Sequence, residues 1–418
     1  MKYKLIIIII LAISAKIILH FLIIKNLSMN PDEERNFQIA LNNQNGIGYT
    51  VYDIEKNRFI QTAFHGSFTV FTYELLIKTG IKKEIYVLSV YILSMILFGL
   101  SIYYFHKLCL KFIDNIRFAL LATVTYSFYP SILFYIGTLF FYENFALSLL
   151  VITIYKLLSA IKDGFKTLDY LVIPFAVTLS CLFRPQTIVI YFVISFVFCL
   201  VVIFKKKYST IPLVILSFIL AFTFHIPIFL KNKKMFGEYV LSTQFGFELL
   251  QGHNPTAKGS WMGNWKDSTN QLYQYSNTHI KNIKELNELE ESKARKQLAL
   301  KWIKDNPWEE IKLLVRKLAI YFLPRNYEVL NGSDKLNPIN LLTHIFFICF
   351  ILIQVFKRAI TFNELLIFSP IVASILLSVV FFVGYRWRLY AEPFMIIFAW
   401  KFISLIKYKL DRKTMPSP

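Results

Sequence analysis

The chain has only four cysteines, Cys109, Cys181, Cys199 and Cys349, all in or beside apolar blocks and none in CxxC spacing. That excludes a disulfide framework or a zinc site and leaves them as small buried hydrophobes. There is no HExxH, GxSxG, phosphate-loop or dinucleotide signature, so neither a soluble catalytic domain of those kinds nor ATP is indicated. No internal repeat is visible, which disfavours a transporter built from inverted halves. The net charge is +20, but the lysines and arginines form short clusters at the ends of apolar blocks and no basic face, which excludes nucleic acid as a partner. No small-x-small cleavage site follows the first apolar block, so it is expected to stay as a membrane helix.

What fills the sequence instead is apolar. Mean hydropathy is +0.51, and blocks of membrane-crossing length fall near 5–24, 85–105, 117–136, 138–158, 169–183, 185–204, 211–230, 338–356, 364–384 and 390–407. The expected fold is an all-α integral membrane protein with about ten transmembrane helices. Positive clusters occur at every second boundary: Lys2/Lys4, Lys107/Lys111/Arg117, Lys156/Lys162/Lys166, Lys205/Lys206/Lys207, Lys357/Arg358 and Lys407/Lys409. The positive-inside rule then puts them, and both termini, in the cytoplasm of a multi-pass cell (inner or plasma) membrane protein. The chain divides into a transmembrane module at 1–230 whose first outer loop is 25–84, an extracytoplasmic loop at 231–337, C-terminal transmembrane helices at 338–408 and a cytoplasmic tail at 409–418.

Chemistry is expected on the outer segments. Within 231–337, "ELNELEESKARKQLALKWIKDN" reads as a surface helix with a Glu291 to Arg295 pair one turn apart and a stop at Asn306-Pro307. "WEEIKLLVRKLAIYFLP" is apolar on one side but too charged and short to span, and is expected in the interface plane.

Residues 30–40, "NPDEERNFQIA", place four consecutive charges just after the first span. One reading is helix-start chemistry: Asn30 as cap, Pro31 at the first position, Glu33 completing a capping box and acids complementing the dipole. Phe37, Ala40 and Leu41 share a side, which would rest on the outer membrane surface. The other reading starts from the surplus of acids. Asp32 and Glu33 project from different sides, and a carboxylate turned into the bundle suits a general base for an attacking hydroxyl. Arg184 in "CLFRPQ" and Arg386 and Arg388 in "GYRWRLY" are cations at outer helix tips, against the charge bias. Their forks suit phosphate oxygens, although an Arg at such a position also snorkels to headgroups. Glu143 is an acid at the outer start of an apolar run, a functional candidate by default. Lys16 and His20, one turn apart in the first span, read as snorkelling or bonded within the bundle. "GHNP" at 252–255 reads as a turn, in which His253 is either solvated or a ligand for phosphate or sugar.

In order, the first span with "NPDEERNFQIA", "TAFHGSFTVFTYELLI" (62–77), "YP" then "YEN" (129–144), "LFRPQ" (182–186), "KN" and "FGEY" (231–239), "GHNP", "KWIKDNPWEEIKLLVRKLAIYF" (301–322) and "RWRLYAEPFMIIFAW" (386–400) resemble the GT-C glycosyltransferases. The pattern is nearest to members similar to protein O-mannosyltransferases and the lipid A aminoarabinose transferase. The resemblance implies a GT-C-like fold with amphipathic outer-face helices in the first loop. It implies transfer of a sugar from a polyprenyl-phosphate carrier to a lipid, glycan or protein acceptor, with Asp32 as preferred base and Glu33 second. By the same resemblance Arg386 and Arg388 bind the lipid phosphate, with Lys231 a weaker phosphate contact; Arg184, Glu143, His253 and Asn254 are substrate-binding candidates from their own positions in the sequence. Two positions depart from the family pattern: Phe37 in place of the aromatic after the acidic pair, and Lys231-Asn232 in place of Arg-Asn. Displacement at an anomeric carbon already bonded to phosphate needs a base and cations but no general acid, and a single step inverts. Asp32 and Glu143 could together hold a divalent cation, the one cofactor the residues suggest, although they are a thin ligand set for it. A lipid-linked sugar flippase or a polysaccharide polymerase or ligase are the other classes that such charges fit, and neither the sugar nor the acceptor is readable.

Overall fold

An apolar residue on the outward side of a helix has no favourable place in water, so helices that are apolar all round belong in a core or in lipid. The computed structural model describes residues 2–24, 31–64, 67–134, 141–262, 269–322, 338–357 and 361–414. Among them, six helices are long and apolar enough to cross a membrane: α1 (Lys2–Ile24), α4 (Lys83–Phe112), α7 (Phe141–Asp163), α9 (Thr187–Phe204), α10 (Ile211–Phe236) and α16 (Phe362–Val380). Three shorter apolar helices accompany them: α5 (Ile116–Phe128), α8 (Asp169–Phe183) and α15 (Pro338–Phe356). α4 shows both environments on one rod: Phe98, Ile102 and Phe105 are fully buried, whereas Ile92, Ile96 and Leu100 on its other side are about half exposed. This is a helical membrane protein.

The remaining helices are α2 (Pro31–Gln44), α3 (Ser67–Thr79), α6 (Pro130–Phe134), α11 (Gln244–Gly252), α12 (Gln271–His279), α13 (Glu288–Asp305), α14 (Pro307–Phe322), α17 (Tyr385–Arg388) and α18 (Glu392–Thr414). The block expected as one span at 117–136 is broken at Tyr129, where Pro130 starts a separate short helix. The following block is helical from Phe141, and its expected start at 138 lies outside the described residues.

The core runs through the bundle. Gly99 of α4 lets α1 approach, since a Cβ there would sit 3.3 Å from Ile9 and Ile13 side-chain atoms, the small-residue device of membrane helix pairs. Phe105 and Tyr126 stack with centroids 4.2 Å apart. Interior polar groups pair across helices: Ser101 with the Tyr126 hydroxyl at 2.9 Å, His106 Nδ1 with Thr123 at 2.9 Å, and Trp400 Nε1 donating to Thr125 at 2.9 Å. Lys16 and His20 are both fully buried, and Lys16 Nζ lies 3.7 Å above the Phe98 ring, so Lys16 does not snorkel.

One end of the bundle, where α7 and α9 finish and α8 and α16 begin, is tied by lysines. Lys156 reaches Asp169 at 2.6 Å, Lys357 and Lys401 both reach Glu364 at 2.6 Å, Lys205 donates to Asn363, and Lys207 donates to the Lys162 carbonyl.

At the other end the 31–79 segment folds on itself. A short antiparallel hairpin, β1 (Thr50–Asp53) and β2 (Arg58–Gln61), is paired from Thr50↔Gln61 to Asp53↔Arg58. Ile39 and Ala40 of α2 are buried against Val51 of the hairpin and Val70, Tyr73 and Leu76 of α3, with Phe37 edge-on to Tyr73 at 5.7 Å. Of the side expected on the membrane surface, Ala40 is buried against protein and Phe37 is partly so. Likewise, the Glu291–Arg295 pair forms at 2.9 Å, but both residues are buried, Arg295 also donating to Ser276 at 2.7 Å. α13 does start with a capping box at Asn287/Glu290 and stop at Asn306, with Pro307 opening α14.

Candidate functional site

Three local features converge on the end of the bundle opposite the lysine contacts. The α8–α9 hairpin turns at Arg184-Pro185, because Pro185 cannot continue the α8 ladder; the Arg184 N–H bonds back to Ser180 at 2.8 Å and Thr187 Oγ1 closes onto the Arg184 carbonyl at 2.8 Å. After α16, the single turn α17 presents Arg386. The first turn of α2 lies against both. Together they line a cavity of about 640 Å³.

Asp32, Glu33, Arg184 and Arg386 all line it. Arg184 contacts Glu143, which is 3 % exposed and sits behind the wall. Arg386 approaches Asp32 and Glu143 at 3.8 Å each, beyond hydrogen-bond reach, and keeps 43 % of its side chain exposed, as Asp32 keeps 44 %. Glu33 is buried, and its Oε2 accepts hydrogen bonds from Tyr73 at 2.5 Å and Tyr142 at 3.0 Å. Burial pushes the Glu33 carboxyl up to about 7, against the two tyrosine hydrogen bonds and Arg184, which favour the anion. A carboxyl in that range exchanges protons near neutral pH.

The rest of the wall is largely apolar. Phe183 stacks on Tyr142 at 5.0 Å, and Ile188 and Val189 of α9, Leu377 of α16 and Phe381 just after α16 continue the surface along two membrane-length helices. The third side is α11, contributing Gln244, Phe245, Glu248 and Gln251, with Trp261 beyond.

α11 is wedged in place by two glycines. A Cβ at Gly246 would lie 1.8 Å from the Ser292 carbonyl oxygen on α13, and one at Gly252 would lie 1.6 Å from that of Phe381. Glu248 is thereby held in the wall, where burial raises its carboxyl to about 7, countered by the Gln244 hydrogen bond at 2.6 Å and by Arg386.

The other expected site residues are elsewhere. Arg388 is 4 % exposed and turned into the core, 3.4 Å from Glu392, which also takes hydrogen bonds from Ser131 and Thr343. Two residues along a helix are about 200° around its axis, so when Arg386 faces the cavity Arg388 cannot. Lys231 lies 4.3 Å over the Tyr49 ring and does not line the cavity. His253 is buried between Glu310 (2.9 Å to Nδ1) and the Val380 carbonyl (2.8 Å to Nε2), beside Lys317, whose ammonium donates to the Val379 carbonyl at 2.9 Å. Asn254 holds the predicted turn, donating to the Leu250 carbonyl at 2.7 Å and accepting from Thr256 N–H at 2.8 Å. Both are structural fasteners of α11. Asn30 lies outside the described residues.

The donor set does not fit a divalent cation. Glu143 already faces two guanidiniums, and among the described residues no three His, Cys, Asp or Glu side chains converge. Sequence reasoning missed Glu248, Tyr73 and Gln251. The only trace of Glu248 is an acid interrupting the apolar "FGFELL". No protein-family model matches the chain, and no curated protein matches its sequence.

Proposed function

We propose that the protein is a membrane glycosyltransferase of GT-C-like architecture that moves a sugar from a polyprenyl-phosphate carrier to an acceptor hydroxyl at the extracytoplasmic face. The observation that carries this reading is one apolar-walled cavity in which carboxylates of the first loop face Arg184 and Arg386, at the end of the bundle remote from the lysine contacts. With the lysine end in the cytoplasm, both termini are cytoplasmic, and the apolar helices together with α18 make up about ten spans of an inner or plasma membrane protein.

The chemistry follows from the positions. The carrier's chain lies along Ile188, Val189 and Leu377, and its phosphate meets Arg386, with Arg184 behind. The acceptor oxygen attacks the anomeric carbon, forming the new glycosidic C–O bond while the C–O bond to phosphate breaks. The electron pair leaves on the phosphate, where guanidinium charge stabilises it. The acceptor's proton passes to Asp32, the acid most open to the cavity, while Glu33 is positioned by its two tyrosines. A single displacement inverts the anomeric centre.

The test is lipid analysis after incubating the purified protein in proteoliposomes with polyprenyl phosphate hexoses and pentoses and an added acceptor lipid. Free polyprenyl phosphate, appearing with wild type and not with Asp32→Asn, is the expected product. A polyprenyl diphosphate would mean a polymerase or ligase, and unchanged carrier moved to the other leaflet a flippase; either result overturns the assignment.

A further inference from the structure

The α11 face of the cavity carries an anomaly the reaction above does not use. Residues 244, 248 and 251 follow i, i+4, i+7 spacing, one stripe along a helix. The opposite stripe is accounted for: Leu249 and Leu250 pack with Leu272 and Ala299 in a small core beneath α11. On an ordinary amphipathic surface helix the polar stripe faces water, which satisfies it. Here the stripe faces inward. Gln251 is 4 % exposed, and Gln251 Oε1 and Glu248 Oε2 are both buried and accept no hydrogen bond from any described residue. Two buried acceptors without donors, less than one turn apart on one wall of one cavity, are an exception to the rule that such groups are satisfied. They call for a ligand that brings hydrogen-bond donors.

The parts of a lipid-linked sugar differ in this respect. An acyl-type chain has no donor, and an ionised phosphate has none. A sugar has several hydroxyls, and the Trp261 ring at the same wall suits its apolar face. We infer that the Gln244–Glu248–Gln251 stripe of α11 is the seat of the transferred sugar, with Glu248 and Gln251 accepting hydrogen bonds from its hydroxyls. This rests on the carrier-lipid reading above and adds to it a second wall with a different task. Asp32 and Arg386 handle the proton and the phosphate, and α11 selects the group that moves. Glu248 is close enough to both to be linked to them electrostatically, as a sugar bridging phosphate and acceptor requires.

The experiment measures binding to the full-length protein in nanodiscs of two kinds of probe, undecaprenyl phosphate alone and a panel of undecaprenyl phosphate hexoses and pentoses. Wild type is expected to prefer at least one sugar-bearing lipid by about tenfold or more over the bare lipid, the scale of a charge-assisted hydrogen bond. Glu248→Gln and Gln251→Met are each expected to reduce that preference to about threefold or less. Bare-lipid affinity should hold or, for Glu248→Gln, strengthen as Arg386 loses a competing anion. Arg386→Gln should instead weaken both probes together. A variant that keeps the full preference, or that loses both probes equally, overturns the stripe assignment while leaving the carrier reading intact, as does a wild type that binds both kinds alike. A wild type that binds neither overturns the carrier reading and this inference with it.

Discussion

The two ends of the helix bundle use the same residue types to different ends. At the lysine end each buried acid has close cations: Asp169 has Lys156, and Glu364 has Lys357 and Lys401 plus the Thr361 N–H and hydroxyl of its own capping box. At the cavity end Asp32 and Arg386 stand 3.8 Å apart, Glu33 and Glu248 are acids with raised pKa, and Glu248 keeps a buried oxygen without a donor. Local rules relaxed in one place and obeyed in another, on the same fold, are the pattern the proposed active site would leave.

The sharpest way to test that contrast is to remove one acid from each end. Asp32→Asn should lower sugar transfer by about a thousandfold, within the range of a lost general base. The melting temperature should stay within a few degrees, because an exposed pair at long range contributes little. Initial rates and melting curves on the same preparation give both numbers. Loss of folding alongside activity would make Asp32 a structural acid like Glu364.

Arg386 and Arg388 make the same comparison within three residues. Arg386→Lys keeps the charge but loses the planar fork, and transfer should fall by about a hundredfold with folding unchanged. Arg388→Gln should do the opposite. It leaves Glu392, 1 % exposed, without its guanidinium, so the protein should be less stable while the folded fraction keeps its turnover. If Arg388→Gln abolishes turnover in protein that melts normally, the division between the two arginines is wrong.

That division also shows what the sequence discloses. Apolar blocks and lysine positions are one-dimensional signals, and they disclosed a helical membrane protein with lysines gathered at helix ends because membrane length and charge bias act on the chain directly. Asp32, Glu33, Arg184 and Arg386 were legible as charges out of place at helix tips. "RWR" does not say which arginine faces inward, since that is fixed only by where α17 starts. The "GHNP" turn was readable, but whether His253 meets ligand or protein depends on α14 and the 379–383 segment, far away in sequence. An i, i+4 pair such as Glu291–Arg295 looks identical exposed or buried. Glu248 sits on a helix whose polar side would face water in most settings, and only the glycine-mediated wedging of α11 turns it into a wall. The four-residue strands of the hairpin are too short to stand out beside long apolar runs.

At the lysine end, Glu364→Gln keeps the shape of the capping box and removes the charge that two lysines share. Because both lysines retain some solvent contact, the expected loss is about 2 kcal/mol, below the ~3–5 kcal/mol of breaking a fully buried pair. Activity per folded molecule should be unaltered, as read by denaturation and single-turnover rates in parallel.

The smallest effect, and the most specific to the cavity end, is a change in pH dependence. Glu33 faces Tyr73, Tyr142, Arg184 and Glu143, and its carboxyl is raised from an ordinary value of 4.5 to about 7. Between those values the folded protein binds a proton there that the unfolded chain does not. This contribution to stability is fully present below about 4.5 and is lost as pH rises through 7, with a slope of at most about 1.4 kcal/mol per pH unit. Glu33→Gln stays permanently neutral and remains an acceptor for both tyrosines, so the difference in stability between variant and wild type should grow in the variant's favour from pH 5 to pH 8. Glu364→Gln, at the other end, should favour wild type in that range. Parallel stability profiles of the two variants that slope the same way would mean that the two ends are electrostatically alike, and the contrast from which the catalytic reading was built would go.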